Sequence, residues 1–122
     1  MAALLIGLVW LPWHLPEFVS DQRERPLVQF VIYILASSVI LAWVYNSTRA
    51  SLPIVILFHA AFNSFTRFFL SELQGGHKVI AWWTLAGLVA LLALAVIAYA
   101  GSQNLARGHT RPVYERAEAP AT

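Results

Sequence analysis

The sequence predicts an all-α fold, a polytopic transmembrane helical bundle of about four spans, and three observations carry that prediction. Hydrophobic residues make up 59% of the chain and charged residues only 11%, whereas a water-facing domain carries about a quarter charged residues. The charges are also segregated, falling in Glu17–Arg25, at Arg49, in Arg67–Lys78 and after Gly101. The stretches between them approach the roughly 20 residues that a helix needs to cross the hydrocarbon core. Because they are continuous rather than alternating, they read as helices, which satisfy every backbone group within one segment.

The first apolar run, Met1–Leu15, falls short of a full span and is interrupted by Pro12 and Pro16. No basic start or small-residue cleavage site marks it as a secretory signal. Its length suggests a helix that begins upstream of Met1. Pro16–Pro26 reads as a polar loop with Glu17, Asp21, Arg23, Glu24 and Arg25. Leu27 to about Tyr45 is a charge-free span. Asn46–Ala50 reads as a tight connection, with Ser51 as N-cap and Pro53 in the first turn of the next helix, where its missing N–H costs little. Asn46-Ser47-Thr48 fits a glycosylation pattern, but its place in a tight turn against the membrane favours a turn or cap role. The third span runs from Leu52 to about Leu70, and Gly75-Gly76 then breaks the chain. Val79–Ala100 is the cleanest span, with Trp82, Trp83 and Tyr99 as interfacial anchors. Residues 101–122 form a polar Gly/Pro/Ala/charged tail predicted to be disordered.

Composition excludes several classes of function. The net charge of +2 comes from scattered arginines in loops and tail, which make no basic stripe for nucleic acid. No cysteine is present, so there are no disulfides and no thiol chemistry. If the spans alternate, Arg23, Arg25 and Lys78 share one side, while Arg49, Arg107, Arg111 and Arg116 share the other. Three against four leans towards a cytoplasmic tail.

Polar residues inside apolar spans are functional-site candidates. His59 and Asn63 sit four residues apart near the middle of the third span, and so on one helical face. Ala60 and Ala61 beside them favour close helix approach. The alternative is that the pair only hydrogen-bonds between helices. His14 stands between Pro12 and Pro16, one turn beyond Trp10, where a bent helix end can turn the ring inward. Topology allows His14, His59 and Asn63 to converge. Arg67 continues the His59–Asn63 face but is near enough to the span's end to snorkel. His77 and His109 read as solvated, and Ser37-Ser38 as small packing residues. There is no G-x-S-x-G motif for a serine hydrolase and no H-E-x-x-H for a zincin.

Two of these segments resemble motifs of one family. Leu8-Val9-Trp10-Leu11-Pro12-Trp13-His14-Leu15-Pro16 resembles the second motif, F-x-x-x-H, of the CPBP family of CAAX-processing and bacteriocin-processing intramembrane proteases, also called Abi or type II CAAX prenyl endopeptidase-like proteins. Trp10 replaces the commoner Phe. Phe58-His59-Ala60-Ala61-Phe62-Asn63 resembles the third motif, H-x-x-x-N, and the likeness runs from about Leu5 to Ser64. It implies that residues 1–70 are the C-terminal part of a CPBP domain, that 79–100 is an additional helix, and that the active site is a cavity within the membrane. It also implies His14, His59 and Asn63 as catalytic residues. A glutamate and the first histidine would activate water, while the second histidine and the asparagine hold the oxyanion. The metalloprotease label implies zinc, with His14 and His59 as its candidate ligands. Two His and an Asn are nevertheless a poor zinc set without a carboxylate. The partners implied are the lipid bilayer and a peptide or protein substrate at the membrane, in a bacterial cytoplasmic membrane.

The family's first motif, E-E-x-x-x-R, occurs nowhere in the sequence. Without its carboxylate, general-base catalysis is lost, so this chain alone is expected to be inactive as a protease. The competing expectation is a non-catalytic membrane scaffold, immunity or partner-binding protein. A transporter or channel fragment fits less well, for want of broken helices and paired charges at mid-membrane.

Overall fold

A computed structural model describes residues 2–20, 26–102 and 105, with Leu15 and residues 17–20 described by backbone alone. Four helices follow one another: α1 (Ala2–Ser20), α2 (Leu27–Ser47), α3 (Leu52–Ser71) and α4 (Gly75–Ala100). No strand occurs among the described residues. The last three helices are each long and apolar enough to cross a membrane, whereas the apolar part of α1, Ala2–His14, is shorter. The fold is a polytopic transmembrane helical bundle, and the chain is an integral membrane protein.

The central element is α2, packed most extensively against α4, then α1, and less against α3. Its buried side chains include Phe30, Tyr33, Ile34, Val39 and Ile40, and α4 meets them with Ala86, Val89, Ala93 and Val96. That α4 series repeats at three- and four-residue steps, so it forms one stripe down one face. Small residues there let two backbones approach closely, which matters in lipid because packing rather than water exclusion drives helix association. Gln29, fully buried, ties the two helices together, its Nε2 donating to the carbonyl of Trp82 at 2.9 Å.

Helix α1 meets α2 through a glycine. A Cβ placed on Gly7 would lie 2.7 Å from Ser38 Oγ and 3.0 Å from Leu35 Cδ2. The Ser38 hydroxyl is itself held by donation to the Leu35 carbonyl at 2.8 Å. The small-residue role expected for Ser38 is therefore met here, by contact with Gly7.

Several expected boundaries need correction. The polar loop expected to begin at Pro16 does not begin there, because α1 continues through both prolines to Ser20. Proline's fixed φ is compatible with a helix, and each ring removes only one backbone bond. The two losses lie one turn apart on one face, and membrane helices tolerate such interruptions. Helix α2 extends past Tyr45 to Ser47, and the turn follows at Thr48–Ala50. Thr48 closes the helix, its Oγ1 donating to the Val44 carbonyl at 2.8 Å. Arg49 and Ala50 take positive φ of 55° and 63°, and the Ala50 amide caps Tyr45 at 2.9 Å, a left-handed ending of the general type that satisfies terminal carbonyls. Ser51 holds the N-cap position of α3 without a side-chain capping bond.

Helix α4 starts at Gly75 rather than Val79. The breaker pair forms its first turn, with Gly75 at φ 55° making the reversal. His77 is accordingly an exposed residue of that turn rather than of a loop. Trp82 is not an interfacial anchor: it turns inward and meets Tyr33 edge-on at 6.5 Å. Trp83 and Tyr99 are exposed as anchors should be. Most of the tail, with His109, lies outside the described residues.

Candidate active site

A cavity of about 770 Å³ opens between the helices, lined by Trp10 and His14 from α1, Phe30, Tyr33 and Ser37 from α2, His59, Phe62, Asn63, Thr66 and Arg67 from α3, and Lys78 and Trp82 from α4. All four helices contribute because the chain alternates direction. The C-terminal ends of α1 and α3 thus lie beside the N-terminal ends of α2 and α4.

On α1, Trp10 and His14 share a face at a four-residue step. His14 Nδ1 lies 2.9 Å from the Trp10 carbonyl oxygen. A carbonyl can only accept, so Nδ1 carries the hydrogen and the neutral ring keeps its lone pair on Nε2. On α3, Asn63 Nδ2 lies 2.9 Å from His59 Nε2. An amide nitrogen can only donate, so His59 Nε2 accepts, and its own hydrogen sits on Nδ1. Asn63 retains one N–H and its carbonyl oxygen. The expected alternative of bonding between helices does not describe this pair, which bonds within α3.

The two histidines meet through an aromatic ring. The Trp10 indole lies 5.7 Å from the His14 ring, edge-on at 85°, and 5.0 Å from the His59 ring. Phe30 from α2 backs His14 at 5.7 Å, and Phe62 stacks on Tyr33 at 6.0 Å. His14, His59 and Asn63 therefore face one space, walled largely by aromatic rings. Asn63 is exposed and His59 half-buried, so the space is open on the α3 side.

Among the described residues no aspartate or glutamate lines the cavity. Glu72 is exposed at the C-cap of α3, and Glu24 lies outside the described residues. A catalytic zinc needs three protein ligands and an open position. Among the described residues no three His, Cys, Asp or Glu are grouped to hold a metal ion, and one ring nitrogen of each histidine is already engaged. The described residues alone do not make up a zinc site.

Sequence reasoning missed the inward turn of Trp82 and the cavity-lining positions of Arg67 and Lys78. For Arg67 a signal existed: His59, Asn63, Arg67 and Ser71 recur at a strict four-residue interval, and all four line the cavity. Nothing comparable marks Lys78 or Trp82, since their direction depends on how α4 is rotated.

A transmembrane bundle with histidines and an asparagine on an internal aromatic cavity defines the class as a helical membrane protein with an intramembrane polar site. Residues 1–65, more than half of the chain, match the family described as type II CAAX prenyl endopeptidase Rce1-like. The chain belongs to that family. The match takes in α1, α2 and most of α3, with His14, His59 and Asn63, and agrees in extent with the motif resemblance. No curated protein and no solved structure matches the chain.

Proposed function

We propose that this chain carries the histidine–asparagine half of an intramembrane endopeptidase site, one that hydrolyses peptide bonds of a substrate held at the membrane. The observation that carries the reading is that His14 and Asn63, from helices distant in sequence, line the same cavity with His59 between them against Trp10.

Each residue has a chemical part. Asn63, with a free amide hydrogen, donates to the carbonyl oxygen of the scissile bond as negative charge develops there. Such a donor acts strongly in a dry, preorganised site. His59 orients that amide through the 2.9 Å bond. His14 is fixed by the Trp10 carbonyl with its Nε2 lone pair available, and accepts a hydrogen bond from the attacking water. The proton then needs a stronger base, and among the described residues no carboxylate lines the cavity. The chain as it stands is therefore expected to give no turnover.

The test is hydrolysis of a membrane-anchored peptide reporter, by the chain as it stands and as extended by any residues encoded in frame ahead of Met1. Whatever activity appears should drop about 100-fold or more in Asn63→Ala. Hydrolysis that survives both His59→Ala and Asn63→Ala removes the reading. The missing carboxylate favours a second reading, a non-catalytic membrane protein that binds a partner. It predicts that His14→Ala and His59→Ala leave the cellular phenotype unchanged.

A further inference from the structure

Hydroxyl groups on the helices fall into two kinds. Ser38, Thr48, Ser71 and Thr84 each donate to a backbone carbonyl three or four residues earlier, at 2.8–2.9 Å, the usual resort of a helical serine or threonine. Ser37, Ser47 and Thr66 do not. Their oxygens are buried and have no hydrogen-bond partner among the described residues. Ser47 ends α2 and does not line the cavity, whereas Ser37 and Thr66 both line it, from α2 and α3. Thr66 is only 7% exposed, and it stands three residues past Asn63 and seven past His59, on the same helical face. A buried hydroxyl without a partner is costly, and a bilayer supplies no substitute. Buried polar groups are ordinarily satisfied, and an occupant of the cavity with donors and acceptors of its own would satisfy these two.

Their levels follow from the stack of Tyr33 on Phe62, 6.0 Å between ring centroids, which sets those two residues side by side. Helices α2 and α3 run in opposite directions. Ser37 and Thr66 each lie four residues beyond the stack, so each is displaced from it by about 6 Å, in opposite senses. The two hydroxyls are thus about 12 Å apart along the bundle axis, and Asn63, one residue past Phe62, falls between them. An extended peptide covers that distance in about three to four residues, at 3.3–3.6 Å each.

We propose that Ser37 and Thr66 clamp the main chain of the substrate on either side of the carbonyl held at Asn63, and so select peptide in extended form. The inference rests on the protease reading and deepens it, by stating how the substrate is held. A peptide drawn out of a helix at membrane depth bares N–H and C=O groups that lipid cannot satisfy. A hydroxyl both donates and accepts, so it suits either group. Both oxygens are covered, and each meets the peptide by rotating about χ1 between staggered wells. Recognition through the main chain tolerates many side chains. It rejects a segment that stays helical, because the groups of such a segment are already bonded to one another.

The experiment measures binding, so it does not depend on turnover. The full chain, in phosphatidylcholine nanodiscs, is titrated with a short fluorescein-labelled apolar peptide of non-repeating sequence, and anisotropy is read against empty nanodiscs. Backbone esters replace the peptide's amides one at a time, each removing an N–H and weakening a carbonyl acceptor. Esters at two places, three or four residues apart, are each expected to weaken binding about fivefold, the worth of one ordinary hydrogen bond. Thr66→Val should weaken binding of the all-amide peptide by about the same factor and remove the penalty of one of those esters. Ser37→Ala should do the same for the other, and Thr66→Ser, which keeps the hydroxyl, should preserve both penalties. Each of the first two variants deletes a buried hydroxyl that has no partner, so neither should lower the unfolding temperature.

If both variants bind the amide and ester peptides as the parent does, the clamp is overturned, while the binding itself leaves the protease reading standing. Affinity lost with no change in the ester pattern, or lost together with thermal stability, assigns the hydroxyls a structural role and also overturns the clamp. A chain that binds no peptide above the empty-nanodisc background overturns the clamp and the protease reading together.

Discussion

Helices α2 and α3 are of similar length, yet they do different work. Half of the apolar window of α2 is buried inside the bundle, against 11% for α3. The α2 helix holds α1 on one side and α4 on the other, through Ser38 and Gln29. The α3 helix buries only Thr66 and Leu70 but carries His59, Asn63 and Arg67. Its site residues are positioned by a bond within the helix and by Trp10 across from it, not by deep packing. The lesson is a separation of scaffold from site: damage to α3 should remove function at little cost in stability, and damage to α2 the reverse.

The strongest way to break this comparison is at Asn63. Asn63→Ala removes an exposed side chain whose one bond is to His59. Proteolytic activity, where it is present, should fall by about 10² to 10³, the loss typical of one oxyanion donor. Thermal unfolding in detergent should not move. If Asn63→Ala lowered the unfolding temperature as much as a core substitution does, α3 would be scaffold as well, and the separation would fail.

The opposite arm is Phe30→Ala. Phe30 is 2% exposed, the largest fully buried side chain among the described residues, and it also backs His14. In a water-soluble core Phe→Ala costs about 3–5 kcal/mol. In lipid the transfer contribution shrinks, because hydrocarbon is available outside the bundle too. What remains is the unfilled volume, so the expected loss is about 2 kcal/mol, measured by steric trapping or detergent unfolding. The same substitution also frees His14 to rotate, so this scaffold position should show a functional loss as well.

What could be read from the sequence follows the same division. Apolar run length located α2 and α3 to within a residue or two, since lipid imposes that length on any spanning helix. That His14, His59 and Asn63 could face one cavity was legible because ionisable and amide side chains are costly in lipid and so are informative where they occur. The end of α1 was not, because proline is an ambiguous signal: it ends most helices in water but is tolerated in membrane helices. Nor did the sequence mark Gly7, Gln29 or Trp82 as contact points. Each depends on the rotation and approach of two helices, and a single chain's periodicity carries no record of its partner's face.

A smaller effect is expected at the α1–α2 crossing. Gly7→Ala puts a methyl 2.7 Å from Ser38 Oγ, and that hydroxyl is tethered to the Leu35 carbonyl and gives way poorly. Overpacking of this kind costs about 1–2 kcal/mol. Because α1 carries Trp10 and His14, displacement here should also loosen the site. Ser38→Ala removes the nearest clashing atom, so the double variant Gly7→Ala/Ser38→Ala should recover part of the loss. Additive losses in that double-mutant cycle would mean that α1 does not rest on α2 through this contact.

The smallest effect, and the sharpest on chemistry, is at Gln29. It is fully buried between α2 and α4, with Nε2 bonded to the Trp82 carbonyl and Oε1 without a partner. The amide thus gains one hydrogen bond and leaves one acceptor unsatisfied. Hydrogen bonds between membrane helices average about 0.6 kcal/mol, and an orphaned buried acceptor costs at least as much. Gln29→Met keeps the length and volume and removes both the bond and the orphan, so its stability should match the parent within about 0.5 kcal/mol. Gln29→Ala loses the bond and leaves a void, and should be clearly destabilised. If Gln29→Met were as damaging as Gln29→Ala, the α2–α4 scaffold would depend on that one polar tie rather than on close packing of Ala86, Val89, Ala93 and Val96 against α2.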